Sequence, residues 1–263
     1  MNADAILGML TPATYFSMLA VEAIWPARAF PKIRRWRLVG FAFLAMIMTL
    51  GIVTPLLLPV EWLAAHRLFD GTRLGVVGGV AVGLVVLEFI GYFMHRAAHR
   101  FSFMWRWMHQ MHHAPQRIDL ASSTVFHPFE IIYQNLLGIA FGTFVLGIEP
   151  LSAAILGYIA ALLGMFQHLN VRTPRWLGYV VQRPEAHCIH HELNVHGYNY
   201  GNLSLWDIVF GTFRNPEVFE GRVGFREKAS FAKMFIGRDV SGGRGDGIDQ
   251  HRHAADRGRE VMA

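Results

Sequence analysis

Apolar residues in this chain are gathered into long runs, and the short polar joints between them define the elements. Residues 6–25 are mostly apolar but carry Pro12 and Glu22, and read as a first span or an interfacial helix. Leu38–Val60 and Leu74–Met94 are clear spans, each long enough for a hydrocarbon core of about 30 Å. Ile131–Leu146 and Leu151–Gln167 give two further passes, joined by the turn signal Gly147-Ile-Glu-Pro150. The pattern predicts an all-α integral membrane protein with about four transmembrane helices, and a further N-terminal one if residues 6–25 also span. The first run lacks a basic leader and a small-residue cleavage site, so a removed signal peptide is not expected.

The joints also orient the spans. Arg28, Lys32, Arg34, Arg35 and Arg37 form a dense basic loop, which the positive-inside rule places in the cytoplasm. Residues 38–60 then run outward and 74–94 return. Glu61–Arg73 and Gly147–Pro150 fall on the far side, and His95–His127 and His168 fall on the cytoplasmic side. Glycines within the runs (Gly75, Gly78, Gly79, Gly83, Gly91, Gly138, Gly142, Gly157, Gly164) predict close helix packing. Gly75-x-x-Gly78-Gly79 is no nucleotide loop, because it lies inside an apolar span with no strand before it. After Asn170 the chain turns polar. Residues 237–263 are rich in Gly, Arg and Asp with almost no apolar content, and read as a disordered tail behind a membrane-embedded domain of residues 1–236. His251 and His253 sit in that tail and read as solvated.

Composition sharpens this picture. Charged residues are 16% against 53% hydrophobic, well below the roughly 25% charge of an ordinary soluble domain. The net charge of +5 would suit nucleic acid, but the basic residues flank apolar runs, which fits a membrane and no nucleic-acid partner. One cysteine excludes an intramolecular disulfide. Cys188 lies inside a histidine cluster and reads as a small spacer.

Three histidine clusters carry the chemistry: His95-x-x-x-His99, His109-x-x-His112-His113 and His187-x-x-His190-His191. With 14 histidines in 263 residues, independent placement gives one His-x-x-His-His with a chance of about one in twenty-five, and two far less often. Helical residues four apart share a face, so His95 and His99 can grip one ion. Adjacent residues are turned by about 100°, so His112/His113 and His190/His191 can each divide between two ions. A ligand set made almost wholly of imidazole suits zinc, copper or iron. Eight histidines exceed the four ligands of one zinc, so two metals are inferred. A nitrogen-rich iron pair with open positions can activate oxygen, and an apolar interior beside it suggests attack on an unactivated lipid C–H bond.

These motifs resemble the fatty acid hydroxylase/sterol desaturase superfamily of integral-membrane histidine-box enzymes. Asn199-Tyr200-Gly201, Trp206-Asp207 and Phe210-Gly211-Thr212 resemble the signature that follows that family's last box. The likeness covers about residues 80–215. It implies a four-helix anchor, a cytosolic histidine-rich metal cap, two iron ions, molecular oxygen (O2) as co-substrate and a lipid substrate. It also implies an external electron donor of ferredoxin or cytochrome b5 type with a reductase. His168 falls where the family carries a further box and is a candidate ligand, although the usual partner four residues on is Arg172 here. His127 and His196 are candidates either for ligation or for hydrogen bonding to a ligand. Asp119, Glu130, Glu185, Glu192 and Asp207 could orient an imidazole N–H, with Asp207 read as a turn cap. His66 falls on the far side as a loop residue.

The leading expectation is therefore an oxygen-dependent di-iron lipid hydroxylase or desaturase, and box spacing does not separate the two outcomes. The alternative is a membrane metal-ion carrier using the histidines as a relay. Carriers place ionisable groups near mid-membrane, whereas these clusters sit at span ends. A bis-histidine haem carrier needs one ligand on each face and leaves most of the histidines unexplained.

Overall fold

The computed structural model describes residues 3–241. Helix α1 (Ala3–Ile24) leads through the basic loop to α2 (Trp36–Leu56). Helix α3 (Val60–Ala65) and a 3-10 turn at Gly71–Leu74 precede α4 (Gly75–Arg100). Next come α5 (Ser102–Met104), a π-helical turn (Trp105–His109) and α6 (Gln110–His113) in close succession. Helix α7 (Pro128–Ile139) continues as a π segment, Ala140–Val145, and α8 (Pro150–His168) follows. The polar C-terminal part holds α9 (Pro184–His190), α10 (Ser204–Val209) and α11 (Phe231–Phe235). Among the described residues the only β pairing is two isolated bridges, Val181–Leu203 and Glu192–Val223.

Four helical stretches among the described residues are long and apolar enough to cross a membrane: Leu7–Ile24, Trp36–Leu56, Gly71–Arg100 and Pro150–His168. Their outward faces are apolar, with Val77 84% and Leu56 77% exposed. Apolar surface on that scale is costly in water and favourable in lipid, and a helix satisfies its own backbone there. The N-terminal run is thus a helix of spanning length. Its Glu22 is buried at the helix end, where Oε2 accepts from Leu120 N (2.8 Å) and Asn170 N (3.0 Å). The acid that made this run ambiguous in the sequence anchors α1 to the polar cap. The run read as 131–146 is helical from Pro128 to Val145, and changes from α to π at Ala140.

Helix α2 packs on α7, and α1 and α4 pack on α8. The α4–α8 contact is close because Gly79 meets Ser152; a Cβ there would lie 2.7 Å from Ser152 Oγ. The basic loop is fixed to the cap by Trp36 Nε1, which donates to Asp119 (2.8 Å), and by Asn170, which hydrogen-bonds Arg28 N and O. At the opposite end Leu68 N donates to Phe144 O (2.8 Å) and Gly71 N to Leu146 O (2.9 Å). Gly147 turns the chain there with φ of 57°, a left-handed conformation that glycine adopts without steric cost. The two ends of the bundle therefore carry the segments that the charge pattern assigned to opposite faces. Of the tail read as starting at Gly237, residues 237–241 pack on the cap, where Gln110 hydrogen-bonds Arg238 O and Val240 N. His251 and His253 lie outside the described residues.

This arrangement predicts a labelling pattern. Single cysteines at Asp70 and at Ser102, in a Cys188→Ser background, should react with an impermeant thiol reagent from opposite sides of the membrane. Reaction of both from one side would contradict the topology.

Candidate metal centre

Every cluster histidine arrives on a helix end or a short helix. His95 and His99 occupy the last turns of α4, and His168 ends α8. His109 closes the π-helical turn, and His112 and His113 lie on α6. His187 and His190 lie on α9, with His191 at its cap. Helix α9 starts at Pro184, suited to a first helical position, and Arg183 before it is held by Thr173, Asn215, Pro216 and Glu185.

The nine imidazoles fall into two adjoining groups. His95, His99, His109, His113 and His190 form one, and His112, His168, His187 and His191 the other. Within each group the candidate ligand atoms lie within 4.8 Å of one another. Both adjacent pairs divide between the groups, as their angular separation on a helix predicts. The groups touch: the His113 and His191 rings stack with centroids 4.1 Å apart, and those of His187 and His190 lie 5.2 Å apart.

Hydrogen bonding at Nδ1 leaves Nε2 free. His95 Nδ1 donates to Tyr200 O (2.6 Å), His190 Nδ1 to Tyr198 O (2.8 Å) and His168 Nδ1 to Gly164 O (2.9 Å). His109 Nδ1 donates to Glu130 Oε1 (2.8 Å). With both Nδ1–H groups committed, the Nε2 lone pairs of His95 and His109 face each other at 2.8 Å. His113 and His109, and His187 and His191, also bring Nε2 atoms to 3.0 Å. Opposed lone pairs repel unless a cation lies between them. A separation near 2.9 Å is what neighbouring ligands at right angles have around an ion about 2.1 Å from each nitrogen. The Nε2 atoms of His99, His168 and His190 are buried without a partner. Buried polar atoms normally find one, so the residues present fit two metal ions.

Electrostatics agrees. Burial, reinforced by neighbouring imidazoles, lowers the pKa of His112, His113, His187, His190 and His191 well below the ordinary histidine value. Burial lowers that of His109 to about 3. The rings are therefore neutral, the form that ligates metal. Cys188 lies outside both converging groups and packs against Ile118, Phe219 and Val223, where burial pushes its thiol up to about 12.

The remaining candidates separate. His196 flanks the first group, its ring 4.7 Å from that of His113, and Nδ1 donates to His190 O (3.0 Å). It lies outside the converging set and holds the backbone of α9. His127 is not brought to the centre at all. Its Nδ1 accepts from Phe129 N (3.2 Å) to cap α7, and its ring packs on Trp107, Phe129 and Phe235. The expectation that it might ligate is corrected on that geometry. His66 stacks on Trp62 at the far end.

Of the acids considered, Glu130 meets the imidazole of His109. Asp119 holds Trp36 and Arg117, and Glu185 holds Thr173 and Arg183. Asp207, wholly buried, accepts from Tyr200 N (2.9 Å), Gly201 N (2.8 Å) and Thr212 Oγ1 (2.6 Å). Asn199, at φ of 57°, donates through Nδ2 to Ala186 O and Arg214 O. The segment after the last histidine cluster thus aims the Tyr198 and Tyr200 carbonyls at His190 and His95. Sequence reasoning missed those carbonyls, and it also missed Glu88, which accepts from Asn202 N and Nδ2 and from Leu203 N. A lone acid inside an apolar span was the available signal.

An apolar cavity of about 610 Å³ opens from this centre into the bundle. His95, His109, His112, His168 and His187 line one end, with Leu44, Leu87, Ile131 and Leu156 among its walls.

Fold and site together define a helical protein with four stretches of membrane-spanning length and two adjoining histidine groups that could each hold a metal ion. A family model for fatty acid hydroxylase matches residues 80–212, and the chain belongs to that family. Ornithine lipid hydroxylase OlsE from Rhizobium tropici is 36% identical over 143 residues, 52% of this chain and 42% of that protein. Sphinganine C4-monooxygenase 1 from Arabidopsis thaliana is 27% identical over 135 residues, 49% of this chain and 52% of that one. Delta(7)-sterol-C5(6)-desaturase from Nicotiana tabacum is 28% identical over 154 residues, 57% of this chain and 55% of that one. The chain spans about half the length of the curated relatives it matches. No solved structure matches it.

Two variants separate ligand support from helix capping. Glu130→Ala frees the His109 ring and should lower metal affinity about 10–100-fold, as loss of such a partner typically does. His127→Ala should leave metal content unchanged and lower stability by about 1 kcal/mol, the worth of a helix cap. Metal titration and thermal unfolding of the two proteins measure both effects, and loss of metal from His127→Ala would contradict the assignment.

Proposed function

We propose that the chain is an oxygen-dependent di-iron oxidoreductase that hydroxylates or desaturates a membrane lipid at an unactivated C–H bond. The observation that carries this reading is the junction of two all-imidazole groups with an apolar cavity inside a membrane-spanning bundle. The relatives named for ornithine lipid, sphinganine and sterol substrates support a lipid as the substrate class.

His95, His99, His109, His113 and His190 would hold one iron, and His112, His168, His187 and His191 the other. The iron pair supplies the reduction of O2 that makes a C–H bond attackable. In hydroxylation one oxygen atom enters the product and the other leaves as water; in desaturation both leave as water and the lipid loses two hydrogens. Either outcome draws two electrons from an external donor, of ferredoxin or cytochrome b5 type with a reductase, and two protons from water. The chain's own residues bind and exclude. Leu44, Leu87, Ile131 and Leu156 give the lipid chain an apolar surface and keep bulk water from the histidines. Glu130, Tyr198 and Tyr200 hold imidazole rings in orientation through Nδ1, which limits their rearrangement during turnover. The histidine end of the bundle lies on the cytoplasmic side, where a soluble donor can reach it.

Oxygen uptake by the reduced, iron-loaded protein tests the proposal. Added membrane lipid extract should stimulate uptake and yield lipids carrying one more oxygen or two fewer hydrogens. The same assay on His112→Ala and His190→Ala should show neither. Lipid-independent metal movement across vesicles, with no oxidised lipid, would favour the metal-carrier alternative instead.

A further inference from the structure

The glycines of the spans are of two kinds. At Gly40 and Gly79 an added Cβ would lie 2.8 Å from Ala121 Cβ and 2.7 Å from Ser152 Oγ, so these glycines let neighbouring segments touch. At Gly91, Gly138, Gly157 and Gly164 an added Cβ would meet nothing within 4 Å, although all four line the apolar cavity. The expectation that every span glycine serves helix packing is therefore corrected for these four. A helix-interior glycine is unfavourable relative to alanine, and no protein contact at these positions compensates for it.

On α8 the small residues are ordered. Ala153, Gly157, Ala160, Ala161 and Gly164 all line the cavity and recur at helical spacing, so they form one face. That face runs to His168. His168 and His187 are 3% and 2% exposed, line the same cavity, and have Nε2 and Nδ1 respectively without a partner. The open face thus leads from apolar space to buried nitrogens of the metal centre. From Ala153 to His168 it extends about 22 Å at the helical rise of 1.5 Å per residue, the length of an extended long acyl chain.

We propose that this face of α8 is a groove for a linear hydrocarbon chain, and that the residues along it set the longest chain whose C–H bond reaches the histidines. The proposal rests on the lipid-oxidation reading above and adds its specificity-determining residues. Gly157 lies about 16 Å along the helix from His168, and Gly164 about 6 Å. A side chain at Gly157 closes the far end and shortens the groove by about 6 Å, whereas one at Gly164 closes it beside the metals.

The test is the total lipid mass spectrum of one host strain expressing the wild-type chain, Gly157→Leu, Ala160→Leu, Gly51→Leu or His112→Ala, with iron measured on each purified protein. Gly51 is exposed on α2, has no atom within 4 Å of an added Cβ and does not line the cavity. Gly51→Leu should match wild type. Gly157→Leu or Ala160→Leu should keep its iron and shift the oxidised lipids toward shorter chains. The longest should fall at least about tenfold against the shorter ones, the worth of about two methylenes shut out of apolar space. An unchanged chain-length profile, an equal fall at all lengths, or loss of iron from both cavity variants would overturn the groove. Wild-type and His112→Ala hosts with identical lipids would instead overturn the lipid-oxidation reading on which it rests.

Discussion

Nine converging imidazoles, eight of them buried and His95 half-buried, are the constraint on which the rest of this structure depends. The neutral rings of His95 and His109 have Nε2 atoms 2.8 Å apart and both Nδ1–H groups committed, so those two lone pairs repel unless a cation sits between them. The surrounding chain holds the rings in place against that repulsion. Helix ends supply His95, His99 and His168, short helices supply the two His-x-x-His-His clusters, and a hydrogen-bonded loop orients rings through backbone carbonyls. Asp207 and Asn199 have no contact with the imidazoles in this arrangement. They fix residues 198–212, and the loop positions the carbonyls that meet His95 and His190.

The bilayer sets the second constraint. Spans with outward apolar faces place the histidines at one end of the bundle, and the cavity joins that end to lipid-like space. Carboxylates that would be costly in such a setting are spent on backbone amides: Glu22 on Leu120 and Asn170, Glu88 on Asn202 and Leu203. Each ties a spanning helix to the polar cap, so that the metal-bearing segments and the bundle hold one geometry.

Much of this was legible because it rests on periodicity and charge. Span-length apolar runs, the basic loop after Trp25 and the turn at Gly147 determine the bundle and which joints share an end. The 100° step between adjacent helical residues foretold that His112 and His113, and His190 and His191, would separate. What stayed hidden depends on chain segments distant in sequence. Pro128 marks a helix start after His127, but nothing near His127 shows that its ring faces away from the cluster. The π-helical turn that carries His109, and the choice of Glu130 over Glu192 or Asp119 as its partner, follow only from tertiary packing. The glycines likewise look alike in sequence, and only the position of neighbouring helices divides those that permit contact from those that border empty space.

The central claim is that one chain holds two metal ions on imidazole nitrogen alone. X-ray absorption and elemental analysis of the purified, iron-loaded protein test it together. The account predicts two ions per chain, a ligand shell dominated by histidine nitrogen with no sulfur, and a metal–metal vector. One tightly bound ion per chain, or a sulfur ligand from Cys188, would contradict it.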